Sequence, residues 1–209
     1  MKNTLLVVAI ATAGLFAVTT LSHAAEDKGG FFVNGSVGQA TLNKGIYDDS
    51  DTGYQINAGY RWALAPAFAF GIEGGYTDLG KFSPKADLVT VTSIGGVGQP
   101  PGVPVDYPLG NAELSGWTLG VNAHWNLSDS WYVSGRTGLF SADAKGYALD
   151  ASPPFRVDGS SNDWYAGAGF GYDFSNNFSV GLNYDYYKAG KNDLNLDTGL
   201  VSVSGEIRF

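Results

Sequence analysis

Eight stretches of this chain alternate apolar and polar residues with period two, and aromatic residues space four of them. Tyr54 to Trp62, Phe68 to Tyr76, Trp117 to Trp125 and Phe178 to Tyr186 are each eight residues apart, always on the apolar face. Strict alternation marks strands whose two faces meet different surroundings. At roughly 3.3 Å per residue and a tilt of about 40°, eight steps rise about 20 Å along a membrane normal. That approaches the roughly 25 Å apolar band of a membrane barrel, which carries an aromatic girdle at each edge.

The alternating segments lie near residues 31–40, 53–62, 67–77, 113–125, 131–140, 163–174, 178–187 and 199–209. In the second, Tyr54, Ile56, Ala58, Tyr60 and Trp62 oppose Gln55, Asn57, Gly59 and Arg61. Short turns at 63–66, 126–130 and 175–177 alternate with longer polar or Gly/Pro-rich connections at 41–52, 78–112, 141–162 and 188–198. Outer-membrane barrels have this pattern, with short turns in the periplasm and long loops outside. Trp62, Phe68, Trp125, Trp131, Phe174, Phe178 and Phe209 then form a periplasmic girdle, and Tyr54, Tyr76, Trp117, Trp164 and Tyr186 an outer one. The predicted fold is all-β: an eight-stranded antiparallel up-and-down transmembrane β-barrel.

A soluble barrel with apolar residues inside is the competing architecture. Charged residues make up only 15% of the chain, and the polar face is rich in glycine, as at Gly59, Gly71, Gly120 and Gly167. A soluble exterior carries more charge, whereas small residues suit the crowded inside of a narrow barrel. A formal net charge of −8 argues against a nucleic-acid partner, whose phosphates require cations. No cysteine is present, which excludes disulfides and thiolate chemistry. Lys2, the apolar run 5–18 and the small residues Ser22 and Ala24 predict a signal peptide over residues 1–24, cleaved to leave a barrel domain over 25–209.

The final strand alternates up to Phe209, with Val201, Val203, Gly205, Ile207 and Phe209 on one face. With the strand count, the alternating connections, the glycine-rich polar face and Ile207-Arg208-Phe209, the chain resembles the small outer-membrane barrels of the OmpA-like and opacity-protein type. The resemblance covers residues 25–209. It implies the outer membrane of a Gram-negative-type cell, contact with its lipids and lipopolysaccharide, and a monomeric barrel. It also implies that Ile207 and Phe209 form an assembly signal for the barrel-insertion machinery. Members of that family serve as adhesins, envelope stabilisers or narrow pores.

Parity places Arg61, Glu73, His124, Arg136, Asp173, Asp185, Glu206 and Arg208 inside the barrel. Eight strands leave an interior that side chains fill, and buried charges need partners, so these residues are expected to form an ion-pair network. Glu73 lies five residues beyond Phe68 and Arg136 five beyond Trp131, which predicts that the two meet across the lumen. His124, the one histidine outside the signal peptide, also points inward, away from any lipid substrate, so no catalytic residue is assigned. Asp48, Asp49 and Asp51 lack the offsets and closing Glu of a calcium loop, and 95–108 lacks the Gly-Lys-Ser/Thr ending of a phosphate loop. No cofactor or metal is predicted. The expected function is non-enzymatic, in envelope structure or in surface recognition through loops 78–112 and 141–162. A narrow pore is the alternative, and a lipid A-modifying enzyme a more distant one.

Overall fold

The computed structural model describes residues 29–44, 47–85, 88–92, 104–108, 110–148, 155–191 and 194–209. The signal peptide expected over 1–24 lies outside them. Eight strands close into a ring: β1 (Gly30–Lys44), β2 (Tyr47–Ala65), β3 (Phe68–Phe82), β6 (Ala112–Asn126), β7 (Trp131–Ala148), β8 (Phe155–Ser175), β9 (Phe178–Tyr187) and β12 (Thr198–Arg208). Each pairs antiparallel with its neighbours in chain order. β12 closes the ring on β1, from Phe32 opposite Arg208 to Leu42 opposite Thr198. Two short pairs lie outside the ring: β4 (Leu88–Thr92) with β5 (Pro104–Pro108), and β10 (Gly190–Lys191) with β11 (Leu194–Asn195).

The strands run well past the predicted ends. β1 and β2 pair as far as Lys44 opposite Tyr47, and β7 and β8 as far as Ala148 opposite Phe155. The long connections expected over 41–52 and 141–162 are therefore largely wall, whereas the ring takes only residues 78–82 and 112 of the connection expected over 78–112, and β4 and β5 within it lie outside the ring. The predicted loop tip at 95–108 ends in β5, and residues 93–103 lie outside the described part. The strands outlast their apolar outward face because the polarity of the alternation reverses. Up to the outer aromatic row the outward residues are apolar: Ile56, Ile72, Leu119, Leu139 and Leu182 are all exposed. Beyond it the outward residues are Asp78, Ser115, Ser141, Asp143 and Lys145, while Leu79, Leu114, Ala142 and Ala144 turn inward and are buried.

One irregularity lets β3 keep this inverted pattern. Its pairing with β6 shifts between Asp78 and Lys81, and Gly80 within the shift has φ 86°. The extra residue of the bulge sends Lys81 outward and Phe82 inward. Positive φ at a bulge favours glycine, and a Cβ there would also press on the Asp51 carboxylate.

The barrel accordingly has two interiors. Its outer end holds a dry cluster of buried side chains from every strand of the ring, including Leu42, Tyr47, Leu79, Phe82, Leu114, Phe140, Tyr187 and Leu200. Ala189 and Leu196, from the connection between β9 and β12, join the cluster. The rest of the interior is polar.

Candidate functional site: the barrel lumen and its outer rim

Glycines decide which polar side chains meet in the lumen. Arg136 on β7, Gly167 on β8 and Asp185 on β9 share one hydrogen-bonded row across three strands. With no side chain between them, the guanidinium closes over Gly167. Its Nε donates to Asp185 Oδ1 at 2.6 Å and its Nη2 to Oδ2 at 2.5 Å. A Cβ on Gly167 would collide with Asp185 Oδ1. Glu73, Gly120, Gly138 and Tyr165 form a second row, in which the Tyr165 hydroxyl reaches over two glycines to donate to Glu73 Oε1 at 2.8 Å. Arg61, Gly71 and Asn122 continue the first row, since Asn122 pairs with Arg136, and Arg61 Nε donates to Asn122 Oδ1 at 2.6 Å.

The contact expected between Glu73 and Arg136 is therefore replaced. Arg136 bonds Asp185, Glu73 bonds Tyr165, and the two expected partners stay within electrostatic reach without touching. Strands in a barrel are staggered, so side chains at one height follow the hydrogen-bond register and not an equal count from the aromatic rim. The Gln55 amide completes the Arg136 site. Its oxygen accepts from the guanidinium and its nitrogen donates to the Tyr187 hydroxyl at 2.7 Å.

The other predicted lumen charges gather nearer the periplasmic end. Arg61 grips Glu206 with two bonds, Nη1 to Oε1 at 2.5 Å and Nη2 to Oε2 at 2.9 Å, and lies 4.0 Å above the Phe32 ring. Arg208 bonds Asp173 and stands 3.6 Å from Glu206. His124 stacks on Tyr132 with ring centres 4.3 Å apart, and its Nε2 lies 2.9 Å from Asn126 Oδ1 and 3.7 Å from Asp173. Each of these three lumen arginines thus has a carboxylate, two of them through paired bonds, the strong arrangement for buried charge. Glu73 alone among the four acids has a hydroxyl partner. Asn122, Tyr132, Tyr165 and Tyr187 were not among the predicted lumen residues, and Gln55 was placed on the polar face of its strand without a role. Parity was the available signal, since Tyr165 and Tyr187 directly follow the outward Trp164 and Tyr186.

On the outer surface, the residues expected in the two girdles point away from the lumen, and rings on adjacent strands touch. Tyr76 meets Trp117 at 5.2 Å and Trp164 meets Tyr186 at 5.5 Å. At the opposite end Phe68 meets Trp125 at 6.4 Å, and Phe174 meets Phe178 at 5.9 Å. Ile207 and Phe209, the expected assembly signal, lie exposed on the same outer face.

A family model for the outer membrane protein beta-barrel domain matches residues 8–209. The chain belongs to the outer-membrane β-barrel family. Its place is the outer membrane. Among solved structures it is similar to Ail, the attachment invasion locus protein of Yersinia pestis, with a TM-score of 0.52 and 13% identity over 88% of this chain and 99% of Ail. It is also similar to Neisserial surface protein A, with a TM-score of 0.52 and 16% identity over 86% of this chain and 97% of the other. Ail in complex with the heparin analogue sucrose octasulfate matches with a TM-score of 0.50 and 12% identity, over 87% of this chain and 98% of that one. No curated protein matches the chain in sequence.

Beyond the outer aromatic row, this outer-membrane barrel presents a charged rim. Lys81, Glu113, Lys145 and Asp158 occupy one row on four adjacent strands and alternate in sign. Lys81 lies 3.0 Å from Glu113, and Lys145 lies 4.0 Å from it. β2 and β3 splay apart above Tyr54, and carboxylates bridge the gap. Asp51 accepts from the Lys81 backbone N–H at 2.8 Å and Asp49 from that of Ser83 at 2.9 Å. These two acids are structural. The Ser83 bond holds the Asp49 carboxyl below its usual range. Among the described residues no group of three or more histidines, cysteines or acids could hold a metal ion.

Proposed function

We propose that this protein is a non-enzymatic, sealed barrel that acts at the cell surface, through the extended outer part of its wall and the connections above it. The observation that carries this is the double closure of the lumen. A paired ionic layer occupies the periplasmic and middle parts, and a dry apolar cluster lies beyond it. An ion crossing would have to break arginine–carboxylate pairs and then enter an apolar plug, so the narrow-pore reading is the weaker one. The one described histidine is 5% exposed and held among lumen groups, which removes the usual base for a lipid-acting hydrolase from the lipid side.

The surface beyond the membrane is where recognition fits. Asp78, Glu113, Asp143 and Asp158 outnumber Lys81 and Lys145 there, and the whole chain carries a net charge of −8. Such a rim favours basic or neutral partners. The sulfated ligand of Ail does not suit it, and the likeness to Ail supports a surface role only through the shared fold. In the membrane the partners are lipid and lipopolysaccharide along the aromatic rows, and during assembly the insertion machinery at Ile207 and Phe209. A cleaved leader over 1–24 belongs to the same proposal.

Planar-bilayer recording of the purified protein, paired with a binding assay on cells that display it, tests the reading. The expected result is no steady conductance, together with attachment to basic or neutral proteins and none to immobilised heparin. A reproducible open channel would transfer the assignment to a pore.

A further inference from the structure

A cavity of about 30 Å³ lies inside the ring, and Asn34, Glu73, Asn122, Ser134, Arg136 and Asn183 are part of its lining. Asn122 is only 3% exposed. Its Oδ1 accepts from Arg61 Nε at 2.6 Å, which fixes the amide: turning it over would set two donors face to face. Nδ2 must therefore point away from Arg61, and it has no protein partner among the described residues. Asn34 Oδ1 is equally buried and equally without a partner. The chamber thus offers an orphan donor and an orphan acceptor.

The charged groups around it already have partners, Glu73 through the Tyr165 hydroxyl and the two arginines through carboxylates. Arg61 holds Glu206, and Arg136 holds Asp185. An ion entering would face paired groups, so the chamber selects a neutral molecule that both donates and accepts. Its volume limits that molecule further, because a bound water needs roughly 10–15 Å³ of cavity. We infer that the middle of the lumen is a water-binding site, in which resident water accepts from Asn122 Nδ2 and donates to Asn34 Oδ1. The apolar cluster closes the outer end of the barrel, so this water exchanges with the periplasmic side. This inference goes beyond the surface role and does not depend on it.

Nuclear magnetic resonance of the intact protein in lipid nanodiscs provides the test. In the native protein, the Asn122 side-chain amide protons should show direct cross-peaks from water. In Asn34→Leu those cross-peaks should weaken, while heat-dependent gel mobility confirms that the barrel still forms. Absence of water cross-peaks at Asn122 in the native protein would overturn the inference, and that measurement needs no variant. Cross-peaks unchanged in Asn34→Leu would also overturn it, because water would then not be held at the orphan acceptor.

Discussion

The two ends of the lumen solve the same problem in opposite ways. Toward the periplasm, and at mid-height, the interior is filled by arginines and carboxylates joined across rows of glycine. Toward the outside it is filled by leucine, alanine, phenylalanine and tyrosine, as the core of a soluble protein would be. Tyr165 and Tyr187 mark the boundary, with buried rings 5.8 Å apart and hydroxyls bonded to Glu73 and Gln55. The difference follows from what lies outside the wall. Where the outer face needs apolar residues for lipid, alternation leaves the polar positions for the inside. Where the outer face meets water, the polar positions move outward and the inside dries.

The largest effect should come from breaking a pair in the ionic layer. Asp185→Ala strands a buried guanidinium and should cost about 3–5 kcal/mol, read as a lower urea midpoint for unfolding in lipid vesicles. Replacing Arg136 and Asp185 together by leucine and methionine should be close to neutral by the same measurement, since the pair offsets its own desolvation. In the apolar cluster no such compensation exists. Leu200→Ala should cost about 2–5 kcal/mol, and a second truncation nearby should add to it. If the double change at 136 and 185 proved as damaging as Asp185→Ala alone, the contrast between the two ends would fail.

Outside the wall the contrast appears as a dependence on position. Ile72→Lys, in the lipid band, should cost about 2–4 kcal/mol. Ser141→Lys, outward but beyond the aromatic row, should stay within about 0.5 kcal/mol. The smallest effect belongs to the carboxylate bridge between β2 and β3. The folded-state value of Asp49 is depressed, so its contribution is full above the ordinary 3.8 and is lost as the pH falls through the depressed value. Amide exchange at Ser83 should accelerate over that acidic window in the native protein, and in Asp49→Asn at every pH.

Much of the wall was legible in the sequence because membrane strands alternate and the aromatics space them. Tyr54 with Trp62 and Trp117 with Trp125 were enough to orient two strands. The inversion beyond Trp117 was hidden because outward apolar residues, the mark of a membrane strand, end there. Leu114, Ala142 and Ala144 were in phase throughout, but on the other face. The lumen charges were legible one by one and their partners were not. Pairing depends on stagger between strands, and the glycines that admit Arg136 to Asp185 appear in sequence only as a small-residue face. Gly80 could not have been recognised as a bulge without the register around it.

The reversal of the wall is the claim on which the two interiors rest, and spin labels test it most directly. The chain contains no cysteine, so single cysteines can be introduced at Leu139 and Asp143, four residues apart on the outward face of β7. In lipid vesicles the label at 139 should collide with dissolved oxygen and the label at 143 with a water-soluble nickel chelate. Labels at both positions reporting lipid, or both reporting water, would contradict the account.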